Sequence, residues 1–563
     1  MTAESGLGGW PALSAWSLRS DRLVKGALIA ASFALIALFL VFPLWVILQK
    51  SFLLDDGSWG VGNYVRYFND PRFLLITFRS LLVSTSCTIV TVAVAYGFAY
   101  ALQRTEVPWK PFWRLCAMLP LFAPSLVQAL GLQFLLGRNG VVSWLLGVRI
   151  DIYGFWGILL ADAIYAFPHA FLILTTALAF GDARIYEAAR MLGASAGRIF
   201  RTVTLPATRY GVMSAVFVVF TIVITDFGNP MVIGGDYSVL ATEIYNQVSG
   251  QANFNLGAVI GVILLVPAAL AMALEKRVAR RQSAQLTDRS VPLVPSRQPL
   301  VDRLALLYVA AVSSFILAVV GIVVFASFVK LWPHDMTPTL RNYVVDVQNG
   351  YAPLWNSIWM SLIAAVLGTV LVTMNAYLTQ KVRHPAMRIL YFVSVLPAAV
   401  PGMVLGLGYI LAFNDPSNPV YLIYGSVIIL AVNTIYHYHA QAFLIATTNL
   451  KQIGRTFDEA SAMLGGSFLR TLRRIALPLI WPSLLSLGVF LFMRAMVTLS
   501  AVIFLVSPTN NVAAVSVLLL DDSGNSTQAA AFSVAIMGVV ALMLGAFQLL
   551  LRGFGMKDVA VLR

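Results

Sequence analysis

The sequence predicts an all-α polytopic membrane protein in which twelve transmembrane helices form two parallel six-helix repeats. Three observations lead to this fold class. The chain is 59% hydrophobic and only 11% charged, a composition typical of bilayer proteins. Apolar runs recur that are long enough to cross roughly 30 Å of hydrocarbon. Finally, one polar segment of the chain is written twice, at residues 187–206 and 459–478.

The predicted elements follow the chain in two sets. Residues 1–22 are expected to be a cytoplasmic N-terminal tail, and the long apolar run after Lys25 reads as a first membrane anchor rather than a cleavable signal. The first repeat, 23–280, has predicted spans near 23–48, 74–102, 112–136, 155–180, 211–235 and 255–275. A polar linker, 281–303, is followed by the second repeat, 304–563. Its spans are predicted near 304–329, 356–380, 389–413, 421–447, 481–506 and 531–551.

The duplicated segment reads EAARMLGASAGRIFRTVTLP in the first repeat and EASAMLGGSFLRTLRRIALP in the second. Its Glu, Ala, Gly, Ser, Leu and Pro residues recur at one offset (459 − 187 = 272). Glu187 is expected to begin a short helix that ends at Gly193, and Ser195 is expected to cap a second helix. The alternative is a helix-turn-helix that merely links two spans, and its repetition in register argues against that.

Shorter matches extend the repeat over both halves. Asn63-Tyr64 corresponds to Asn342-Tyr343, and Arg79-Ser80-Leu81 corresponds to Asn356-Ser357-Ile358. Leu119-Pro120 with Pro124 corresponds to Leu396-Pro397 with Pro401, and these prolines are expected to break or kink their helices. Because each half has an even number of spans, the copies are predicted to be parallel and related by a pseudo-twofold axis along a passage.

Charge placement predicts the orientation. With the N-terminus inside, the non-cytoplasmic side of the first half receives few basic residues, namely Lys50, Arg66, Arg72, Arg79, Arg138 and Arg149. The remaining loops of that half are much richer in Lys and Arg. This bias places both duplicated segments and both chain termini in the cytoplasm.

Both duplicated segments resemble the EAA loop of ABC importer permeases. The residues that match this pattern are Glu187, Ala188, Ala189, Gly193, Leu205 and Pro206 in the first copy, and Glu459, Ala460, Gly465, Leu477 and Pro478 in the second. Val203 replaces the usual isoleucine, and Ser461 replaces the second alanine of the motif. The resemblance implies a type I ABC importer permease fold, with these residues in cytoplasmic coupling helices that dock on an ATPase. Glu187 and Glu459 are then expected to stand at helix starts, favoured by the helix dipole.

The resemblance also implies the partners. They are two copies of an ABC ATPase subunit, an extracytoplasmic solute-binding protein, the lipid bilayer and a small-molecule solute. The sequence has no Gly-x-x-x-x-Gly-Lys-Ser/Thr phosphate loop, so the chain is expected not to be an enzyme and to need no cofactor, with ATP bound by the partner. No metal site is expected, and no basic stripe with interleaved aromatics indicates nucleic acid. Cys87 and Cys116 are read as small buried hydrophobes.

Within that family, the runs YGFAYALQRT, LPLFAPSL, DARIYEAARMLGAS, TDFGNPMVIGG and VLATEIYNQVSGQANFNLGAV are most similar to permeases assigned to 2-aminoethylphosphonate import. The expected function is therefore import of a small phosphonate across a bacterial inner membrane. A ferric-iron importer permease is the alternative within the family. An ion-coupled secondary transporter is the alternative class, since two parallel six-span halves also occur there, and a membrane sensor is a weaker rival because no soluble domain is present.

Two ionisable residues in predicted spans are candidates for lining the passage. A charge at membrane depth costs several kcal/mol unless it faces a pore or a partner. Asp226 and Arg494 stand late in corresponding spans, so both are predicted to face the passage; an interhelical ion pair or a side chain reaching the interface is an equal alternative. Asp162 is expected at the outer interface, and His437 and His439 are expected to line a polar helix end rather than to hold a metal.

Overall fold

The computed structural model describes residues 11–285, 291, 293, 295, 298–344 and 349–553, and their side chains except those of residues 11–20, 280–285, 455, 458 and 462. The first ten residues of the predicted tail, part of the predicted linker and the last ten residues of the chain lie outside the described residues. Cys87 and Cys116 are both buried free thiols, as predicted.

The described part of the chain is almost entirely helical. The first half contains α1 (Pro11–Ile36), α2 (Phe42–Phe52), α3 (Gly62–Asn69), α4 (Pro71–Arg104), α5 (Lys110–Met118), α6 (Leu126–Leu136), α7 (Val141–Leu146), α8 (Phe155–Ala179), α9 (Ala183–Met191), α10 (Ala196–Ile199), α11 (Leu205–Ile224), α12 (Gly228–Ile233), α13 (Leu240–Tyr245) and α14 (Phe254–Gln285). The second half contains α15 (Pro299–Ser327), α16 (Ala352–Lys381), α17 (Ala386–Val395), α18 (Gly402–Phe413), α19 (Val427–Lys451), α20 (Arg455–Met463), α21 (Phe468–Thr471), α22 (Leu477–Met496), α23 (Ala513–Asp522) and α24 (Ser526–Gly553). A small antiparallel hairpin, β1 (Val329–Leu331) and β2 (Asp335–Pro338), follows α15.

The predicted polytopic all-α class is confirmed. Nine helices within the described ranges are long and apolar enough to cross a bilayer, and two bent helix pairs raise the number to eleven. The one predicted span outside these eleven is 421–447, which corresponds to α19; this helix has 25 residues but carries Asn433, His437, His439 and Gln441. It packs against α16 and α22, just as α8 packs against α4 and α11. The count of twelve stays a prediction.

The paired prolines break their helices as expected. Lys110–Phe122 and Leu126–Leu146 meet at 107°, and the corresponding segments Ala386–Ala399 and Gly402–Phe413 meet at 109°. Each break follows a single turn of 3₁₀-helix that begins with Leu-Pro. Proline lacks the backbone N–H that would continue the helix, so the sequence alone is sufficient to predict both breaks.

Two predicted spans end earlier than expected. The span predicted at 211–235 is helical from Ala196 to Ile224, and the one predicted at 481–506 is helical from Phe468 to Met496. In the first case the Asp226 carboxylate accepts a hydrogen bond from the Asn229 N–H at 3.0 Å. This contact stabilises a turn after Ile224, so Asp226 stands just beyond the helix rather than within it.

The repeat extends to individual contacts. The Asn63 amide donates to the backbone carbonyls of Ser51 and Leu53 at 3.3 and 2.8 Å. The Asn342 amide donates to the carbonyls of Ser327 and Val329 at 3.0 and 2.6 Å. Both asparagines therefore fix the loop that follows the first long helix of their half, which is the structural reason that Asn-Tyr occurs twice.

The first long helix of each half crosses to the other half. α2 packs against α18, and the Tyr409 hydroxyl donates to the Phe39 carbonyl at 2.7 Å. Reciprocally, α15 packs against α4 and α6, and the Tyr308 hydroxyl donates to the Val94 carbonyl at 2.9 Å. The halves are thus interlocked rather than merely adjacent.

This crossing requires close approach at Gly131 of α6. A Cβ atom there would overlap the Val319 carbonyl of α15. Glycine to alanine normally favours a helix by about 1 kcal/mol. We expect Gly131→Ala instead to lower stability by about 1–3 kcal/mol through overpacking. The measurement is the midpoint of thermal unfolding in detergent. Gly538→Ala in α24, where a Cβ meets open space, is the control, and equal behaviour of the two variants would contradict the packing role.

Candidate functional site

The two duplicated segments have the same backbone. α9 ends at Met191, and α20 ends 272 residues later at Met463. Each helix is closed by a glycine with positive φ, +73° at Gly193 and +69° at Gly465. The next N–H in each copy reaches back into the helix, from Ala194 to the Ala189 carbonyl at 3.0 Å in the first. Only glycine adopts this conformation without steric cost, so the predicted helix stop is confirmed.

The helix of each segment begins earlier than predicted. The Asp182 side chain accepts from the Arg184 N–H at 3.1 Å and caps α9 at Ala183. Glu187 is therefore the fifth residue of its helix, and Glu459 is likewise the fifth residue of α20. The expectation that both glutamates stand at helix starts was wrong, because each helix begins four residues before its glutamate; in the first copy the Asp182 cap, five residues upstream of Glu187, was missed. At the fifth position the two glutamates lie beyond the first turn of the helix. The helix dipole therefore does not explain why a glutamate occurs at this point of each segment.

The second helix of each segment runs directly into the next span. The Ser195 and Ser467 side chains cap α10 and α21 by accepting from the N–H three residues later, both at 3.4 Å. A turn of π-helix then joins each short helix to α11 or α22. Ile199 is buried and Arg198 and Arg201 are exposed. The second helix of each segment is thus the first part of one 29-residue helical unit.

The tip of each segment exposes apolar side chains. Met191 and Leu192 are 89% and 86% exposed, and Met463 and Leu464 are 89% and 87% exposed. Glu187, Ala188, Glu459 and Ala460 are exposed beside them, and Ala189 is half-buried. Of the other residues in the motif, Leu205, Pro206 and Pro478 are exposed and Leu477 is half-buried where the spans begin. We use the term loop tips for two exposed surfaces, one in each half. They are formed by Glu187, Ala188, Met191 and Leu192 and by Glu459, Ala460, Met463 and Leu464.

The base of each loop tip is held firmly. Arg104 donates to the Leu178 carbonyl at 2.7 Å and lies 4.9 Å from the centre of the Tyr186 ring. In the second half the Asp21 side chain accepts from the Phe468 N–H at 2.7 Å. Rigid bases with apolar exposed tips are typical of docking surfaces. The ATPase-coupling role of these residues stays a prediction.

A second candidate site is a cavity of about 120 Å³ between the two halves. Its polar lining comes from both repeats: Ser125, Tyr165, Thr221, Thr225 and Asp226 from the first, and His437, Tyr438, Gln441, Arg494, Thr498 and Ser500 from the second. The broken segment 397–400 completes the wall. Both predicted passage residues, Asp226 and Arg494, therefore lie on one cavity, and their role in transport stays a prediction.

Asp226 and Arg494 do not neutralise each other. No ion pair joins them among the described side chains. Arg494 lies 4.8 Å from the centre of the Tyr438 ring and also interacts with Tyr165. Asp226 instead contacts Ser125 and Asp162 of its own half. The interhelical ion pair considered from sequence is therefore absent from this part of the structure.

Asp162 is buried, not at the outer interface as expected. It is 1% exposed and accepts a 2.8 Å hydrogen bond from the Asn229 amide. The prediction failed because it considered only how close Asp162 is to the start of its span. That position does not reveal that the loop 225–229, which follows the end of α11, folds over the side chain. A carboxyl pair, Asp162 with Asp226, results.

The histidines are also not at a helix end. His437 and His439 lie in the middle of α19; His437 lines the cavity, whereas His439 faces Asn375 at 3.4 Å. Within the described residues no group of three His, Cys, Asp or Glu could hold a metal.

Sequence reasoning missed most of the cavity lining, although a signal was present. The 272-residue offset pairs Tyr165 with His437, Ile222 with Arg494 and Asp226 with Thr498, and all six residues line the cavity. If the offset had been applied beyond the duplicated segments, it would have predicted that these six positions meet near the pseudo-twofold axis.

Comparison with known proteins gives the family. Residues 75–284 and 376–554 both match the family described as "Binding-protein-dependent transport system inner membrane component". The chain belongs to this family. The two matches correspond to the two repeats, so the protein is a fused two-repeat permease subunit of a bacterial ABC importer.

Two curated relatives cover nearly the whole permease. It is 30% identical to the "Ferric transport system permease protein FbpB" of Actinobacillus pleuropneumoniae over 94% of this chain and 78% of that protein. It is also 30% identical to the "Putative ferric transport system permease protein FbpB 1" of Haemophilus influenzae, over 90% of this chain and 82% of that protein. The chain is also similar to a solved bacterial ABC transporter involved in the import of the acidic polysaccharide alginate. The match covers 48% of this chain and 98% of the transporter's chain, at 16% identity and a TM-score of 0.40.

The buried amide of Asn229 offers a test of the site's architecture. It donates to Asp162 and accepts from the Ala129 N–H at 3.2 Å. We expect Asn229→Ala to destabilise the permease by about 1–3 kcal/mol for each group left unpaired. Thermal unfolding of the purified protein measures this. Asn414→Ala, at an exposed asparagine, is the control, and an unchanged midpoint for Asn229→Ala would show that the amide does not hold the loop.

Proposed function

We propose that the permease moves its solute in response to two ATPase subunits, one docked on each loop tip. The observation that carries this proposal is the pair of corresponding tips, each with a Met-Leu dipeptide at least 86% exposed beside an exposed glutamate. An apolar patch of this kind on a rigid base matches a groove in a partner, and the rim glutamate can bind a partner's Arg or Lys. One tip in each half requires two equivalent partners.

The proposed orientation places the loop tips, the linker and both termini in the cytoplasm. Basic residues cluster at this end of the helices, with Arg190, Arg198 and Arg201 in the first segment and Arg184 just before it. The excess of Lys and Arg in short loops retains that side in the cytoplasm. The opposite end, with the β1–β2 hairpin, is then available to an extracytoplasmic binding protein.

The proposed solute is ferric iron, delivered by that binding protein. The named relatives that span the permease are ferric permeases, so they support the ferric alternative better than the 2-aminoethylphosphonate interpretation. The phosphonate interpretation depends on short sequence runs, and it remains the second candidate because a buried arginine lines the cavity.

Reconstituted transport decides between the two solutes. Proteoliposomes that contain the permease with its ATPase subunits are supplied with the binding protein and with radioactive ferric iron or 2-aminoethylphosphonate. We expect iron accumulation that requires ATP and is blocked by vanadate. Accumulation of phosphonate alone would replace the proposed solute, and uptake driven by an ion gradient without ATP would overturn the coupling mechanism.

The two rim glutamates provide the test of coupling. We expect Glu187→Lys combined with Glu459→Lys to reduce ATP-driven uptake at least tenfold, because a cation then faces the partner's basic groups at both tips. Membrane insertion should be unchanged because both side chains are exposed. The measurements are uptake and stimulation of the ATPase.

The matched control is Glu106→Lys, which changes an exposed glutamate at the same end of the bundle but outside the loop tips. Normal ATPase stimulation by the doubly substituted permease would rule out the role given to Glu187 and Glu459.

A further inference from the structure

Arg494 is a buried cation that forms no ion pair with a carboxylate among the described side chains. It is 9% exposed, in the last turn of α22, and its Nε–H has no hydrogen-bond partner among the described residues. Its neighbours are the Tyr438 ring, whose centre lies 4.8 Å away, and the Tyr165 side chain, which interacts with the guanidinium through its hydroxyl. Phenol rings attract a guanidinium, yet they do not replace the hydration that a buried charge loses. The arrangement is costly unless another group completes it.

The two nearest buried carboxyl groups, Asp226 on the cavity wall and Asp162 behind it, have partners of their own. Asp226 is engaged by the Asn229 N–H at 3.0 Å, and by Ser125 and Asp162. Asp162 is engaged by the Asn229 amide. These contacts all lie within the first half, so the carboxyl pair is organised without Arg494. The cavity is therefore acidic on one wall and basic on the other.

The basic wall offers several further hydrogen-bonding groups. His437 and Gln441 stand on α19 one turn apart and line the cavity with Arg494, and Thr498 and Ser500 follow α22. The His437 Nδ1 atom has no hydrogen-bond partner in the described part of the chain. A cation with surrounding hydroxyl, amide and imidazole groups is the combination that binds an oxyanion.

The repeat shows that this wall is particular to the second half. The position equivalent to Arg494 in the first half is Ile222, which lies on the same cavity. An isoleucine suffices for packing there, so the fold itself does not demand a cation at this position.

We propose that the cavity is a transient binding site for an oxyanion group of the transported solute, anchored by Arg494. This inference rests on the proposed transport function and specifies the chemistry of its solute. The group is a phosphonate, phosphate or carboxylate, either free or as part of an anionic ferric chelate. A bare ferric ion would be repelled by the guanidinium at short range, so the form of iron that suits the Arg494 wall is an anionic chelate. The volume of about 120 Å³ admits a few heavy atoms at a time.

Direct binding tests the proposal without depending on uptake. The purified permease–ATPase complex, without binding protein, is heated with inorganic phosphate, 2-aminoethylphosphonate, ferric citrate or the dication putrescine. A ligand that binds the folded state raises the unfolding midpoint with its concentration. We expect a rise with at least one of the three anionic probes and none with putrescine. Phosphate and phosphonate report a free oxyanion, and ferric citrate reports a chelate.

The variants identify Arg494 as the anchor. Arg494→Gln is expected to abolish the rise, Arg494→Lys to retain part of it, and the control Arg114→Gln, at an exposed arginine of α5, to retain all of it. A rise that persists in Arg494→Gln, a rise with putrescine, or no rise with any anionic probe in the unsubstituted complex overturns the proposal. If Arg494→Gln does not fold, Arg494→Lys still tests the proposal: a smaller rise in the unfolding midpoint supports it, and an unchanged rise overturns it.

Uptake measurements separate this proposal from the proposed function. If the unsubstituted complex shows no ATP-driven uptake of any solute, the transport function fails. If uptake by the unsubstituted complex is normal and Arg494→Gln retains the same uptake per ATP hydrolysed, only the oxyanion site fails.

Discussion

Hydrocarbon offers no hydrogen bonds, and this constraint determines where the permease can be irregular. A broken helix or a charged side chain is tolerated at membrane depth only where protein surrounds it. In this chain the two helix breaks, at 107° and 109°, and the charges of Asp226 and Arg494 all meet between the halves. The crossing of α2 and α15 to the opposite half encloses that region. Interlocking and the polar cavity are therefore consequences of the same requirement.

The geometry also connects the loop tips to the cavity. Ala196–Ile224 and Phe468–Met496 are helical units of 29 residues that begin beside a loop tip and end at the cavity. At 1.5 Å per residue each spans about 40 Å. A displacement of the first turn of a unit, next to its loop tip, would move the far end of that unit, where Ile222 or Arg494 stands. No relay of intervening side chains is needed, because a packed helix transmits such a shift as a rigid body.

Sequence alone predicts the parts of this permease that local chemistry determines. Gly193 and Gly465 stop helices because their φ is positive, and the Leu-Pro pairs break helices because proline cannot donate. What sequence could not place depends on contacts between distant segments. Asp162 was put at an interface because the loop that buries it arrives from residues 225–229. The helix around Glu187 was started too late because the Asp182 cap was overlooked, although that signal is local.

Fusion of the two repeats permits a cavity that two identical halves could not form. A symmetric dimer with an arginine at the position of Arg494 would bring two like charges to the axis, and one with an acid at the position of Asp226 would do the same with anions. Like charges at short range repel strongly in a medium of low dielectric constant. In the fused chain Ile222 is the counterpart of Arg494, and Thr498 is the counterpart of Asp226. In the lining of the cavity each half can therefore carry charge of one sign, which two identical halves could not do.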